Sequence, residues 1–214
     1  MKVLELFKGG GSITRYYKDN KDVEVISLDI LQKYNPTFCC DILDWNFKQY
    51  EVGTFDIIWA SPECSIFSPL QRFKIGNKWK DKDELEQEQQ KNTCYIERTF
   101  QIINYLKPKY YFIENPLYSS IWNYIDHDFN NKRVIVDYCR FGTLYKKPTK
   151  ILTNKKLDDV RCVCKTHTFH LGKTSSFEMN RANKSISGGT TLLERYSIPQ
   201  PLLKYLLEHE EREK

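Results

Sequence analysis

The sequence lacks any apolar run long enough to cross a bilayer. Stretches such as residues 55–60 and 110–113 are far shorter than the roughly 20 residues of a spanning helix. It also lacks a secretory signal, because the opening residues 1–7 lead directly into a strand pattern without a small-residue cleavage site. We therefore expect a soluble, intracellular protein that does not associate with membranes.

A disulfide framework is absent as well. The seven cysteines are an odd number without regular spacing, which favours reduced thiols, a catalytic thiol or a metal site. Glycine and proline are modest at 9 and 8 residues, and 40% of the chain is hydrophobic, as in folded globular proteins. The 214 residues suffice for one sizeable core. The net charge of +5 is compatible with a polyanionic partner but is weak evidence alone.

Short β-branched and aromatic runs alternate with longer amphipathic segments through residue 138. They predict strands at residues 2–7, 23–28, 55–60, 109–114 and 132–138. A helix is predicted over residues 83–106, because Ile96, Phe100 and Ile103 share one face and Pro108 disfavours its continuation. This alternation predicts an α/β fold with a mostly parallel sheet, helices on both faces, and ligands at the carboxyl ends of the strands.

The rhythm breaks after residue 154. We predict a core over residues 1–154 and a short irregular insertion over residues 155–195, which is polar and contains cysteine and histidine. A closing helix of the core is predicted within residues 196–214, because Leu202, Leu203, Leu206 and Leu207 share a face of residues 199–212.

The first two predicted strands end in residues suited to a nucleoside. Gly9 and Gly11 allow a sharp turn and close approach of a ligand, although a plain glycine-rich turn would look the same. Asp29 is placed to bind ribose hydroxyls, unless it is simply solvated, and Asp41 could receive an adenine amino group. No lysine lies within the glycine run to bind phosphates, which disfavours a P-loop. S-adenosylmethionine, a nucleoside without phosphates, fits this pattern.

Two chemically reactive residues follow later strands. Cys64 lies in a proline-flanked loop after residues 55–60, and Glu114 ends the run 110–113 and precedes Asn115. A thiolate that adds to carbon 6 of cytosine makes carbon 5 nucleophilic, and a carboxylic acid at nitrogen 3 stabilises the developing charge. The alternative for Cys64 is a buried, inert thiol.

In this order, the motifs resemble those of the cytosine-5 DNA methyltransferases. The resemblance spans roughly residues 1–154, and the tail over residues 194–199 is similar to that of short phage and viral members. It implies a Rossmann-like, class I S-adenosylmethionine-dependent fold. The motifs that carry it are Phe7-Lys8-Gly9-Gly10-Gly11, Pro62-Glu63-Cys64 with Phe67-Ser68, Glu114-Asn115, Arg140-Phe141-Gly142 and Lys146-Lys147-Pro148.

The resemblance implies methyl transfer to carbon 5 of a flipped-out cytosine in DNA through a covalent adduct. The catalytic residues would be Cys64, Glu114, Asn115 and Lys147. The cofactor would be bound by Phe7, Gly9, Gly11, Asp29, Ile30, Asp41, Ile42 and Pro62. We expect a monomer and, for a viral protein, the host cytoplasm or nucleus.

The chain departs from the family pattern at three motif positions. Glu63 replaces a proline beside the nucleophile, where it would raise the pKa of the thiol if the two side chains face each other, or diverge from it in an extended loop. Pro116 replaces a valine, and Thr149 stands where a second arginine is expected. The segment 155–195 is a candidate reduced target-recognition segment, which implies relaxed or very short sequence recognition.

These departures leave two alternatives open. The first is methylation of cytosine in RNA. The second is a catalytically inactive protein that binds the cofactor or nucleic acid.

Two further clusters carry alternatives. Cys162, Cys164, His167 and His170 are candidate ligands of a structural zinc ion, with Cys139 as a substitute, although paired histidines also occur as plain surface residues. Residues 71–82 mix cations with Phe73 and Trp79 and would either contact nucleic acid or form a solvated loop in which Trp79 packs locally. The phosphate-binding candidates are Arg72, Lys74, Lys78 and Lys80.

Overall fold

A computed structural model of the chain describes residues 1–125, 132–143, 145–163 and 196–208. Within them, seven strands form one sheet in the order β3-β2-β1-β4-β5-β7-β6. The chain moves outward from β1 to β3 and returns to β4 on the other side of β1. The strands are β1 (Lys2–Leu6), β2 (Glu24–Asp29), β3 (Phe38–Cys39), β4 (Ile57–Ala60), β5 (Tyr110–Pro116), β6 (Arg133–Asp137) and β7 (Pro148–Thr153).

The first five strands of the chain, β1 to β5, pair with one another in parallel. Strand β7 runs antiparallel to both of its neighbours, β5 and β6. The predicted α/β fold with a mostly parallel sheet is therefore confirmed. Leu6 pairs with both Leu28 and Ala60, and Ala60 pairs with Ile113, so the parallel strands end at one edge. Strand order reverses between β1 and β4, and a crevice for ligands forms outside the strand ends at such a point.

The described residues contain three α-helices, which are α1 (Ser12–Tyr16), α2 (Lys82–Leu106) and α3 (Gln200–Glu208). The side chain of Asp81 caps α2 by accepting a hydrogen bond from the Glu84 amide at 2.9 Å. Lys107 ends the helix in the left-handed conformation, with φ of 47°, directly before Pro108. The predicted helix over residues 83–106 is confirmed.

Successive strand residues point to opposite faces of the sheet, and each face has its own apolar core. Leu4, Leu6 and Ile58 face α2, where they pack in one cluster with Ile96 and Leu106. Residues on the other face pack with α1 and α3; they include Val3, Ile13, Trp59, Phe112, Leu202, Leu203 and Leu206. The sheet is thus covered on both sides, which holds its carboxyl edge in a fixed geometry.

Two strands were not predicted. The two residues of β3 are too few to show any periodicity. The start of β7, with Pro148, Thr149 and Lys150, has the composition of a loop, and its strand form depends on pairing between β5 and β6. The closing helix is observed as α3, and residues 164–195 lie outside the described part. No described helix has the length and hydrophobicity needed to span a membrane.

Candidate active site

The glycine loop after β1 is a left-handed turn. Phe7, Gly9 and Gly11 have φ of 55°, 49° and 67°, conformations that glycine adopts at little cost. The Gly11 amide closes the turn by donating to the Lys8 carbonyl at 2.7 Å. The Lys8 ammonium donates to the Asn35 carbonyl at 2.7 Å, so this cation is tied to the loop after β2.

Glu5, which was not predicted as a site residue, anchors this loop from within β1. Its buried carboxyl accepts hydrogen bonds from the amides of Ile13 at 2.9 Å and Thr14 at 3.1 Å, at the start of α1. Burial raises the pKa of Glu5, while these hydrogen bonds lower it. An acidic residue between Leu4 and Leu6 in an apolar strand was the signal that could have identified it.

Asp29 connects the ends of β1 and β2. One carboxylate oxygen accepts a hydrogen bond from the Gly9 amide at 2.8 Å, and the other accepts one from the Leu31 amide at 2.8 Å. Asp41 is held by its own turn, in which it accepts from the Leu43 amide at 2.9 Å. Each aspartate therefore has a fixed orientation.

One cavity of about 1040 Å³ lies along the carboxyl edge of the sheet. Its walls include most of the predicted cofactor residues, namely Phe7, Gly9, Asp29, Ile30, Asp41, Ile42 and Pro62. Its walls also include all four predicted catalytic residues, Cys64, Glu114, Asn115 and Lys147. Gly11 is not part of the wall; it caps α1 and accepts a hydrogen bond from the Arg15 amide at 2.9 Å. The fold thus brings together two groups of residues that are up to 140 positions apart in the sequence.

The loop that carries Cys64 is fixed by side chains from other elements. The Asn115 amide group, on β5, donates to the Pro62 carbonyl at 3.0 Å. Gln71 donates to the Ser65 carbonyl at 2.8 Å, and Gln89, on α2, donates to the Ile66 carbonyl at 3.0 Å. The backbone is therefore fixed by hydrogen bonds both before and after Cys64 in the chain.

Glu63 binds within the loop. Its carboxylate accepts a hydrogen bond from the Ser65 amide at 2.6 Å, and the side chain is exposed. The thiol and the carboxylate therefore have separate environments. The charge of Glu63 still contributes to raising the pKa of Cys64, after burial and Glu114.

Glu114, Lys147 and Tyr138 form a cluster beside Cys64. The Lys147 ammonium lies 3.6 Å from Glu114 Oε1, and the Tyr138 hydroxyl donates to the same oxygen at 3.1 Å. Lys147 also lies over the Tyr138 ring, 4.7 Å from its centroid. Tyr138 was not predicted, because a tyrosine next to an edge strand gives no local sign that it reaches a residue two strands away.

Burial and the neighbouring carboxylates raise the pKa of Cys64 to about 11, whereas Lys147 lowers it. A thiol with this pKa is almost entirely protonated at pH 7, and the thiolate is the nucleophilic form. Burial has the largest effect on the pKa of Cys64, and among the neighbouring charges Glu114 and Lys147 act in opposite directions.

The structure distinguishes the two aromatic residues of the basic loop. Trp79 is buried and donates from Nε1 to Gln71 Oε1 at 3.1 Å, so it packs locally. Phe73 is 85% exposed at the end of a 3-10 helix over Pro69–Lys74. The four predicted phosphate-binding residues, Arg72, Lys74, Lys78 and Lys80, are also exposed.

Most of the predicted zinc ligands, Cys164, His167 and His170, lie outside the described residues. Cys162 is described, and its thiol forms a hydrogen bond with that of Cys139. Among the described residues, no group of three or more side chains is arranged to hold a metal ion. The structural zinc ion stays a prediction.

A protein of Frog virus 3 (isolate Goorha) named "Probable DNA (cytosine-5)-methyltransferase" is 30% identical to this chain over 158 residues. The match covers 72% of this chain and 71% of that protein. The chain belongs to the cytosine-5 DNA methyltransferase family. The resemblance seen in the motifs is therefore confirmed, and the enzyme is a cytosine methyltransferase of the class that uses S-adenosylmethionine.

A solved structure has the same fold as this methyltransferase. The Entamoeba histolytica methyltransferase EhMeth superposes with a TM-score of 0.51 at 16% identity, and the match covers 76% of this chain and 57% of that one. This chain thus spans a little over half of that structure. A variant of Spodoptera frugiperda DNMT2 matches with a TM-score of 0.48 at 18% identity, over 76% of this chain and 55% of that one. The predicted class I methyltransferase fold is confirmed. A comparison with models of protein families found no match to the chain.

Proposed function

We propose that this methyltransferase transfers a methyl group from S-adenosylmethionine to carbon 5 of cytosine in DNA through a covalent adduct with Cys64. The observation that carries the proposal is that one cavity is lined by Cys64, Glu114 and Lys147 together with the glycine loop. A thiol, an acid and a cation beside a nucleoside-binding turn are the groups that this reaction needs.

The residues of the cavity fit the cofactor. Asn115 Oδ1 is buried in the cavity wall without a hydrogen-bond partner in the described part of the chain, so an acceptor is available there. Asp29 and Asp41 add carboxylates, and Gly9 has no side chain to block the approach of a ligand. When bound there, the cofactor would supply a methyl group on a sulfonium sulfur.

The chain's own residues would carry the remaining steps. Cys64, as the thiolate, forms a bond to carbon 6 of the ring, while Glu114 donates a proton to nitrogen 3. Carbon 5 gains nucleophilic character and would receive the methyl group, and it then loses its proton to water in the cavity. The bond between carbon 6 and the Cys64 sulfur breaks with its electrons on sulfur, and nitrogen 3 returns its proton to Glu114, which restores the thiolate, the acid and the aromatic ring.

Lys147 would have two electrostatic effects during this reaction. It lies 3.6 Å from Glu114, where it offsets part of the negative charge next to Cys64. It also lowers the pKa of the Cys64 thiol and thereby favours the thiolate. Asn115 would have a positioning role, because its amide group fixes the Pro62 carbonyl two residues before the nucleophile.

DNA is the proposed substrate because the viral relative is named as a DNA methyltransferase and because the loop after Cys64 presents cations. Arg72, Lys74, Lys78 and Lys80 would contact phosphates, and their contribution would weaken with added salt. Phe73 would occupy the space left by the extruded cytosine, since it is the exposed aromatic side chain of this loop.

The test is covalent trapping. Duplex DNA and RNA that contain 5-fluorocytosine are incubated with the protein and S-adenosylmethionine, and adducts are separated on a denaturing gel. We expect an adduct with DNA that is lost in Cys64→Ser and retained in Cys94→Ser, a matched cysteine of α2 outside the cavity wall. An adduct with RNA alone would change the substrate, and no adduct with either would support an inactive binding protein.

A further inference from the structure

Tyr138 is a buried tyrosine that the proposed reaction does not yet use. It follows β6 directly, is the first residue of a 3-10 helix over Tyr138–Phe141, and is 0% exposed. Strand β7 lies between β6 and β5, so the Tyr138 side chain crosses β7 to reach Glu114. A hydroxyl in such a position needs a partner, and Glu114 provides it.

The two oxygens of the Glu114 carboxyl have different surroundings. Oε1 is bound by the Tyr138 hydroxyl at 3.1 Å and faces the Lys147 ammonium at 3.6 Å. No hydrogen bond to Oε2 is formed within the described part of the chain, and Glu114 lines the cavity. Burial, followed by the charge of Glu114, raises the pKa of Tyr138 well above its ordinary value, so the phenol remains a donor at working pH.

A neutral carboxylic acid carries one proton, which can sit on either oxygen. A proton on Oε1 would point at two groups that are themselves donors, Tyr138 and Lys147. A proton on Oε2 has no such conflict and is available to the cavity. We propose that Tyr138 is a positioning residue that, together with Lys147, occupies Oε1 of Glu114 and directs the catalytic proton to Oε2.

This inference rests on the proposed role of Glu114, and it predicts that Tyr138 acts only through that residue. Tyr138→Phe should lower kcat by about 10- to 100-fold, the effect of losing a hydrogen bond to a charged group, with little change in KM for DNA or cofactor. Tyr111→Phe is the matched control, because Tyr111 is a buried tyrosine of the same strand as Glu114 and lies outside the cavity wall. This control should remain within about twofold of the wild type.

The deciding measurement is a double-mutant cycle on the rate of adduct formation with 5-fluorocytosine in a single turnover. In the Glu114→Gln background, Tyr138→Phe should cost no more than about a further twofold. If the two losses multiply instead, Tyr138 does not act through Glu114 and the inference is wrong. A purely structural role would lower the melting temperature and the rate in both backgrounds.

Two results separate this inference from the proposed function. A wild-type protein that forms no adduct with DNA or RNA overturns both. A wild-type protein that forms the adduct, with Tyr138→Phe equally fast, overturns the inference alone. If Tyr138→Phe does not fold, difluorotyrosine at position 138 retains the shape and the donor, and a rate within about threefold of the wild type is expected. A larger loss with this replacement would contradict the inference.

Discussion

Replacing Glu114 by Gln should make Cys64 easier to deprotonate, and replacing Lys147 by Met should make it harder. The reason is that the charge of Glu114 raises the pKa of the thiol and the charge of Lys147 lowers it. Both substitutions remove a charge without adding bulk. Opposite shifts from two neighbours of the same thiol are a signature that a general loss of structure would not produce.

The size of the effect follows from the starting pKa of Cys64, which is about 11 compared with an ordinary value of 9.0. At pH 8, the thiolate fraction is then about 100-fold below that of an ordinary cysteine. Removing one neighbouring charge should move the midpoint of the titration by roughly 0.5 to 1 pH unit. The alkylation rate at fixed pH changes less, by about threefold for a unit shift, because a less basic thiolate is also a weaker nucleophile.

The assay is the pH dependence of alkylation by iodoacetamide, with the Cys64 peptide quantified by mass spectrometry. Cys39 is an exposed free cysteine, so its alkylation in the same digest serves as an internal reference for the amount of active reagent. The pH at which the alkylation rate of Cys64 begins to rise should be lower in Glu114→Gln and higher in Lys147→Met than in the wild type. Shifts in the same direction for both variants, or a wild-type midpoint below pH 9, would refute the electrostatic explanation.

Three more changes test other parts of the site. Phe73→Ala should weaken binding of mismatched or abasic duplex by roughly tenfold in a fluorescence anisotropy titration, whereas Val52→Ala, an exposed apolar control at the opposite edge of the sheet, should have no effect. Asp29→Asn should raise the Kd for S-adenosylmethionine by about tenfold in calorimetry, and Asp44→Asn, outside the cavity wall, should leave it unchanged. Glu5→Gln should lower the melting temperature by roughly 4–8 °C, since the start of α1 loses a carboxylate acceptor; an unchanged value would contradict the anchoring role.

The reactive end of the site could be predicted because its residues follow strands directly. Cys64 and Glu114 come just after predicted apolar runs, and parallel strands end at one edge, so their proximity follows from the fold class alone. Lys147 was assigned only through the family motif. Its position depends on β7, a strand whose polar start gave no local signal.

Tyr138 could not be predicted because its role depends on sheet order. The order of the strands in the sheet, β5-β7-β6, places the residue after β6 within reach of Glu114. Trp79 illustrates a different limit. Its two interpretations, a local core residue or a nucleic-acid contact, have the same sequence pattern, and the hydrogen bond to Gln71 separates them.

Two of the three departures from the family pattern, Glu63 and Thr149, have different structural consequences. Glu63 is an exposed residue whose carboxylate is engaged by the Ser65 amide, and its charge ranks behind burial and Glu114 among the causes that raise the pKa of Cys64. Thr149 is fully buried beside the cluster and donates to the Lys147 carbonyl at 3.2 Å, so no cation stands at this position. Within the described residues, the groups that face Glu114 Oε1 are therefore the Lys147 ammonium and the Tyr138 phenol.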